Sequence, residues 1–160
     1  MSVIWEYFSA PNDELAAATL NWPGGPENGF KPKGLFARRI DGYPAVHGRG
    51  VDPVIALGQF EALLTGLSLD EQFADEDSRP ILAETEPDAH LVLRIHDHFR
   101  DALAVAPLQN LRDLAVPWST IEEFYGQANR AGLIKLLMLL RAQAVDARGA
   151  GHHLYCWMSL

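Results

Sequence analysis

Histidines, arginines and a single cysteine are the side chains of this 160-residue chain that could do chemistry. The six histidines include two close pairs, His96/His98 and His152/His153, but no cysteine partner or H-E-x-x-H pattern accompanies them. On a strand His96 and His98 would share a face, whereas on a helix they would point apart, so the spacing leaves open whether they meet. We therefore predict neither a metal site nor a cofactor.

A loop rich in glycine and proline carries a second group of polar side chains: Arg38, Arg39, Asp41, His47 and Arg49. If this loop folds over a cleft, its arginines could hold an acidic small molecule and His47 could act as an acid or a base. The group thus favours, as one alternative, a small-molecule-binding enzyme or sensor.

Nucleophilic catalysis has no candidate residue in the sequence. No serine stands in a G-x-S-x-G elbow, and the lone Cys156 falls in an apolar segment that we expect to be buried. We therefore predict no catalytic residue, which favours a protein that binds without catalysing a reaction.

The charge of the chain is concentrated in its middle. The net charge is −8, and residues 51–90 hold ten acidic residues against one arginine. Such a segment repels nucleic acid and anionic membranes and attracts a basic protein, although a charge run is also typical of a solvated loop. Within the acidic segment 70–88 we predict a partner-binding surface formed by Asp70, Glu71, Phe73, Asp75, Glu76 and Asp77.

These observations predict a non-enzymatic binding protein. Its most concrete form is an acidic, immunity- or antitoxin-like partner that recognises a basic protein by electrostatic steering, with Phe73 as the buried anchor. A self-assembling structural subunit is a further alternative, and the oligomeric state is left open.

The C-terminal third must position much of the core. Ser119 and Glu122 form an S-x-x-E capping box that predicts a helix from about Thr120, and Asn129 is typical of the N-cap of a second, apolar helix. The segment that follows Gly151 is apolar on both alternating faces, which predicts a central strand.

The remaining elements follow from periodicity and capping residues. We predict a strand over 3–9, a helix from Asn12 to Leu20, and a helix from Asp52 to Gly66. The irregular segment 22–50 is expected to hold a short strand at 35–40. A β-hairpin is predicted over 80–95, and short helices are predicted before Pro107 and Pro117.

Together these elements predict an α+β fold in a single domain over 1–160. We expect about four strands in a mainly antiparallel or mixed sheet, covered by four to six helices. The unpaired cysteine and the lack of a signal segment predict a cytoplasmic location, and no apolar run reaches the roughly 20 residues of a membrane span.

Three groups of residues are similar to a known family: Ile4-Trp5-Glu6-Tyr7-Phe8 with Asp13-Glu14-Leu15, Glu61-Ala62-Leu63-Leu64-Thr65-Gly66, and Phe124-Tyr125 with Ala128. In these stretches the chain resembles YfbM-like bacterial proteins of unknown function. The resemblance implies a small, soluble bacterial α+β domain, and it assigns no activity and no functional residue.

Overall fold

The structure is a computed structural model that describes residues 3–74, 80–85 and 89–160. Within these ranges it has five strands and six α-helices, which confirms the α+β class and adds one strand to the predicted number. The strands are β1 (Ile4–Ala10), β2 (Ala45–His47), β3 (Ile81–Glu84), β4 (His90–Arg94) and β5 (His153–Ser159). The α-helices are α1 (Asp13–Ala17), α2 (Ala56–Thr65), α3 (Leu69–Gln72), α4 (Asp97–Val105), α5 (Leu108–Trp118) and α6 (Arg130–Ala150).

The five strands form one antiparallel sheet in the order β2-β1-β5-β4-β3. The C-terminal strand β5 occupies the centre, as its two apolar faces predict, and pairs with β1 from Ile4 opposite Ser159 to Ala10 opposite His153. Cys156 is fully buried in this strand, and burial raises the pKa of its thiol far above the ordinary value, so the sulfur is an inert part of the core.

One face of the sheet carries the larger hydrophobic core. Side chains of β1, β4 and β5 pack there against α2, α4, α5 and α6. Helix α6 contributes a stripe of buried residues: Leu133, Leu136, Leu137, Leu140, Ala144 and Ala147. Trp118 at the end of α5 lies at the centre of this layer, where its indole N–H donates to the carbonyl of Ala56 at 2.7 Å.

The opposite face of the sheet is covered over only part of its length. Helix α1 and the 3-10 turn Ala18–Asn21 place Ala16 and Leu20 over Phe8, Tyr155 and Trp157. These two short elements do not extend over the start of β1 and the end of β5. Side chains from those two segments line a cleft on this side of the sheet.

The predicted caps at Asn12 and Asn129 are confirmed. The side chain of Asn12 accepts from the backbone N–H of Leu15, and that of Asn129 accepts from Gly132. The helix predicted from Asp52 begins later, at Ala56: residues 53–55 form a turn, in which the carboxylate of Asp52 accepts the backbone N–H groups of Val54, Ile55 and Ala56.

Two predictions about local structure are wrong. Ser119 ends α5 instead of starting a helix: its backbone is helical and its hydroxyl donates to the carbonyl of Val116, because burial of Trp118 keeps α5 helical to its last turn. The strand expected at 35–40 is an exposed turn, and the strand of this region is β2, which is three residues long and carries no periodic signal.

The predicted β-hairpin is present as β3 and β4, and its turn at 86–88 lies outside the described residues. No helix in the described ranges combines the length and the apolar character needed to cross a membrane.

Candidate functional site

Beyond α1 and the 3-10 turn, the register of the sheet brings side chains from four strands to one face. In the register of the sheet, Glu6 of β1 lies opposite His47 of β2 on one side and Trp157 of β5 on the other. Ser159, two residues after Trp157, pairs with His90 of β4. Since alternate residues of a strand share a face, these side chains point to the same side of the sheet.

A short segment after α1 forms the opposite wall and completes a cleft of about 420 Å³. This wall runs from Leu20 to Gly24. Its main side chain is Trp22, which stacks on Tyr43 with the ring planes 5° apart and the centroids 5.8 Å apart. The cleft is therefore bounded by an ordered aromatic wall and by the floor of the sheet.

Glu6 is the residue that distinguishes this cleft from an ordinary surface hollow. Its side chain is only 8% exposed, its Oε1 lies 3.6 Å from Nδ1 of His47, and its Oε2 has no hydrogen-bond partner among the described residues. Gly25 allows this arrangement, because a Cβ atom at that position would come within 2.6 Å of Oε2. Burial raises the pKa of Glu6 above its ordinary value of 4.5; His47 opposes this shift and the charge of Glu27 adds to it.

Two further groups of the cleft supply hydrogen-bonding capacity and aromatic surface. The indole Nε1 of Trp157 is buried and donates to no acceptor among the described residues. The imidazole of His90 lies 5.5 Å from the Trp157 ring, centroid to centroid, and His47 is 66% exposed at the rim. A carboxylate, two imidazoles and two indole rings therefore line one cleft, which is a composition found in small-molecule sites.

A second polar cluster lies further along the same face and is internally bonded. Asp97 accepts from Arg94 Nη2 at 2.7 Å and from His153 Nδ1 at 2.7 Å, and the hydroxyl of Tyr155 donates to Asp13 at 2.8 Å. Burial raises the pKa of Asp97, but the hydrogen bond from His153 and the charge of Arg94 outweigh it, so the net shift is downward. This cluster ties α1, β4, α4 and β5 together and serves the fold.

A buried histidine lies beneath the helices on the other side of the sheet. His96 Nδ1 is 2.8 Å from Oε1 of Glu61, whose side chain is fully buried, and His96 Nε2 has no partner among the described residues. The close histidine pairs separate in the fold, since His98 is exposed and His153 joins Asp97.

The five loop residues predicted to gather around a ligand are distributed over the surface. Arg38, Arg39 and Asp41 are exposed and do not line the cleft, and Arg39 donates to the carbonyl of Asn28 at 3.0 Å. Only His47 lines the cleft beside Glu6. Arg49 borders a hollow of about 310 Å³ near the start of α6, and it also lines, together with His47, a hollow of about 360 Å³ beside the start of β1.

The acidic surface is described only in part. Asp70, Glu71 and Phe73 are exposed in and just after α3, whereas Asp75, Glu76 and Asp77 lie outside the described residues. The carboxylate of Glu71 accepts from the backbone N–H and the hydroxyl of Ser68, and the backbone hydrogen bond is the main cause of its lowered pKa. Glu71 is thus engaged in capping α3.

Sequence reasoning missed Glu6, His90 and Trp157 as members of a site. Glu6 could have been noticed, because it is the one residue that carries a charge at neutral pH in the run from Ile4 to Phe8. Trp157 offered no such signal, since an aromatic residue in a central strand is normally part of the core.

Comparisons of the chain with protein-family models, with curated proteins and with solved structures found no match. The resemblance to YfbM-like proteins therefore stays a prediction, and function has to be argued from the cleft itself.

Proposed function

We propose that the protein binds a small organic cation, an amine or a guanidine compound, in the cleft around Glu6. The observation that carries this proposal is the Glu6 carboxylate, which lines the cleft, is only 8% exposed and has an Oε2 atom with no hydrogen-bond partner among the described residues. A buried carboxylate lacking part of its hydrogen bonds destabilises the folded protein, and a cationic ligand would restore the missing interaction.

The aromatic side chains around Glu6 suit the same ligand class. Trp22 and Trp157 border the cleft, and the face of an indole ring attracts an ammonium or guanidinium group. The buried indole N–H of Trp157 has no acceptor among the described residues, and a hydroxyl or carbonyl oxygen of a ligand that reached it would satisfy it. The cleft volume of about 420 Å³ corresponds to a small metabolite.

Ligands of other charge fit the cleft less well. An anion would meet the Glu6 carboxylate and would bind only with that group protonated. A neutral polyol would pair with the indole N–H of Trp157 but would leave the carboxylate charge uncompensated. The charge of the ligand is therefore the property that tests the proposal.

Compounds with five carbon atoms that differ in charge test this property. We expect calorimetric titration to show binding of cadaverine or agmatine, with pentanediol and glutarate binding more weakly or not at all. Glu6→Gln keeps the shape of the side chain and removes its charge, and it should weaken cation binding about 10- to 100-fold. Glu122→Gln is the matched control, because it makes the same change at an exposed glutamate outside the cleft. Equal cation affinity of the wild type and Glu6→Gln, or tighter binding of glutarate, would contradict the proposal.

Recognition of a basic protein by the acidic segment is a second candidate function. It is supported by the exposure of Asp70 and Phe73, which are three residues apart in and just after α3 and therefore lie near the same face, while the exposed Glu71 caps the helix. Reversal of Asp75, Glu76 and Asp77 to lysine should slow association with such a partner at low salt. A partner whose association rate is unchanged by the reversal would remove this candidate.

A further inference from the structure

Two large apolar side chains lie at the tip of a surface loop and take no part in the cleft around Glu6. Leu35 and Phe36 are each 92% exposed. They occupy the two central positions of a turn that is closed by a hydrogen bond from the N–H of Ala37 to the carbonyl of Gly34. Central turn positions favour Gly, Pro, Asn and Asp, so a Leu-Phe pair at this place is not explained by the needs of the turn.

The base of this loop is fixed to the rest of the protein. Phe30 and Ile40 form a two-hydrogen-bond bridge, with N–O distances of 2.9 and 2.7 Å. Next to the bridge, Gly42 packs so closely against the backbone of Glu27 that a Cβ atom would overlap the Glu27 carbonyl oxygen. Because the base is held in this way, the tip projects outward and cannot fold its apolar side chains back onto the core.

Positive charge flanks the tip on both sides. Between Phe30 and Ile40 the chain has four basic residues and no acidic one, and all four side chains are exposed: Lys31, Lys33, Arg38 and Arg39. An apolar wedge surrounded by long cationic side chains matches an anionic lipid interface, where the wedge enters the acyl boundary and the cations meet the headgroups.

We propose that the loop 30–40 is a membrane-docking element that inserts Leu35 and Phe36 into an anionic lipid surface. The net charge of −8 predicts repulsion from such a surface. At physiological salt, however, charges are screened over about 8 Å, so the charge of the loop decides the interaction once its tip is in contact. This docking is separate from ligand binding in the Glu6 cleft and does not depend on it.

Vesicle co-sedimentation tests the element directly. We expect the wild type to sediment with phosphatidylcholine vesicles that contain phosphatidylglycerol and to stay in solution with phosphatidylcholine alone. Replacing the tip by Leu35→Ser with Phe36→Ser should lower the partition coefficient about tenfold or more. Lys31→Gln with Lys33→Gln should weaken binding to the anionic vesicles and reduce its dependence on salt. Tyr125→Ser is the matched control, because Tyr125 is also highly exposed, at 87%, but lies outside the loop.

A tryptophan placed at the tip reports insertion independently of sedimentation. The fluorescence of Phe36→Trp should shift to the blue on addition of anionic vesicles. That of the wild type should not, because Trp22, Trp118 and Trp157 are buried and the partly buried Trp5 lies on β1, outside the loop. Vesicle binding that is unchanged by the tip substitutions would overturn the proposal. So would an absence of vesicle binding together with an oligomer that the tip substitutions dissociate, a result that would assign the loop to self-association.

Discussion

At the scale of single residues, Glu6 combines a destabilising environment with a position in the cleft. Its carboxylate is buried, one of its oxygens has no partner among the described residues, and burial raises its pKa. Side chains that reduce the stability of a fold are common where binding requires them, because function and stability compete for the same position.

Glu6→Gln should therefore stabilise the protein at neutral pH, by roughly 1 kcal/mol in the free energy of unfolding, while it weakens cation binding. A raised folded-state pKa means that the folded state binds its proton more tightly than the unfolded state. The wild type thus loses stability as the pH rises from the ordinary carboxyl value of 4.5 through the folded pKa. The difference in melting temperature between Glu6→Gln and the wild type should be largest at neutral pH and should shrink as the pH falls toward 4.5. A gap that is constant with pH would show that the charge of Glu6 is not the cause.

For the buried pair of His96 and Glu61 we expect the opposite effect, a loss of stability on substitution. His96→Ala removes the hydrogen bond to a fully buried carboxylate and should lower the free energy of unfolding by about 2 to 4 kcal/mol, measured by urea denaturation. His98→Ala provides the comparison at an exposed histidine two residues away, where the change should stay within about 0.5 kcal/mol. Similar losses for the two variants would mean that the pair contributes nothing specific.

At the scale of elements, the structure distinguishes Asn129, which caps the start of a helix, from Ser119, which was predicted to do so and does not. Asn129 has extended backbone and accepts from Gly132 at 3.1 Å, so Asn129→Ala should destabilise the protein by about 1 kcal/mol. Ser119 belongs to the same class of residue but ends α5, and Ser119→Ala should change the stability by less than about 0.5 kcal/mol. Urea denaturation of both variants distinguishes the two roles, and a larger loss for Ser119→Ala would restore the capping box predicted there.

Elements with strong local signals could be predicted from the sequence. β1, β5, the β3–β4 hairpin, α6 and both asparagine caps follow from alternation, periodicity and capping residues within short windows. β2 escaped prediction because three residues are too few to show alternation, and its place in the sheet depends on pairing with β1. The apolar side chains of Leu35 and Phe36 led to the wrong prediction of a strand at 35–40, because apolar content alone does not distinguish a strand from an exposed apolar tip.

The cleft was harder to predict than the elements that form it. Glu6, His47 and Trp157 are far apart in the sequence and meet only through the register of three neighbouring strands. Register is a property of the whole sheet, so knowledge of each strand alone does not bring these side chains together.

At the scale of the whole molecule, one charged cluster joins elements from both ends of the chain. Asp13, Arg94, Asp97, His153 and Tyr155 connect α1 with α4 and with the centre of the sheet. Asp97 has a lowered pKa, so its contribution to stability is present above the ordinary carboxyl value of 3.8 and is lost as the pH falls through the folded pKa.

Asp97→Asn should accordingly lower the melting temperature at neutral pH, and this deficit should disappear below the folded pKa of Asp97. Asp146→Asn, at an exposed position on α6, is the control and should show little change at either pH. Thermal unfolding followed by circular dichroism at several pH values measures both variants. A deficit that persists unchanged at low pH would mean that Asp97 acts through packing and not through its charge.

The central position of β5 also has a consequence for synthesis of the protein. On the ribosome, β1 and β4 are both made before the strand that lies between them, so each keeps an open hydrogen-bonding edge until β5 leaves the exit tunnel. Open strand edges pair readily with other chains, and contacts between residues so distant in sequence form slowly. The nascent chain therefore completes its sheet only after β5 has emerged, and until then the open edges of β1 and β4 are available for pairing with other chains.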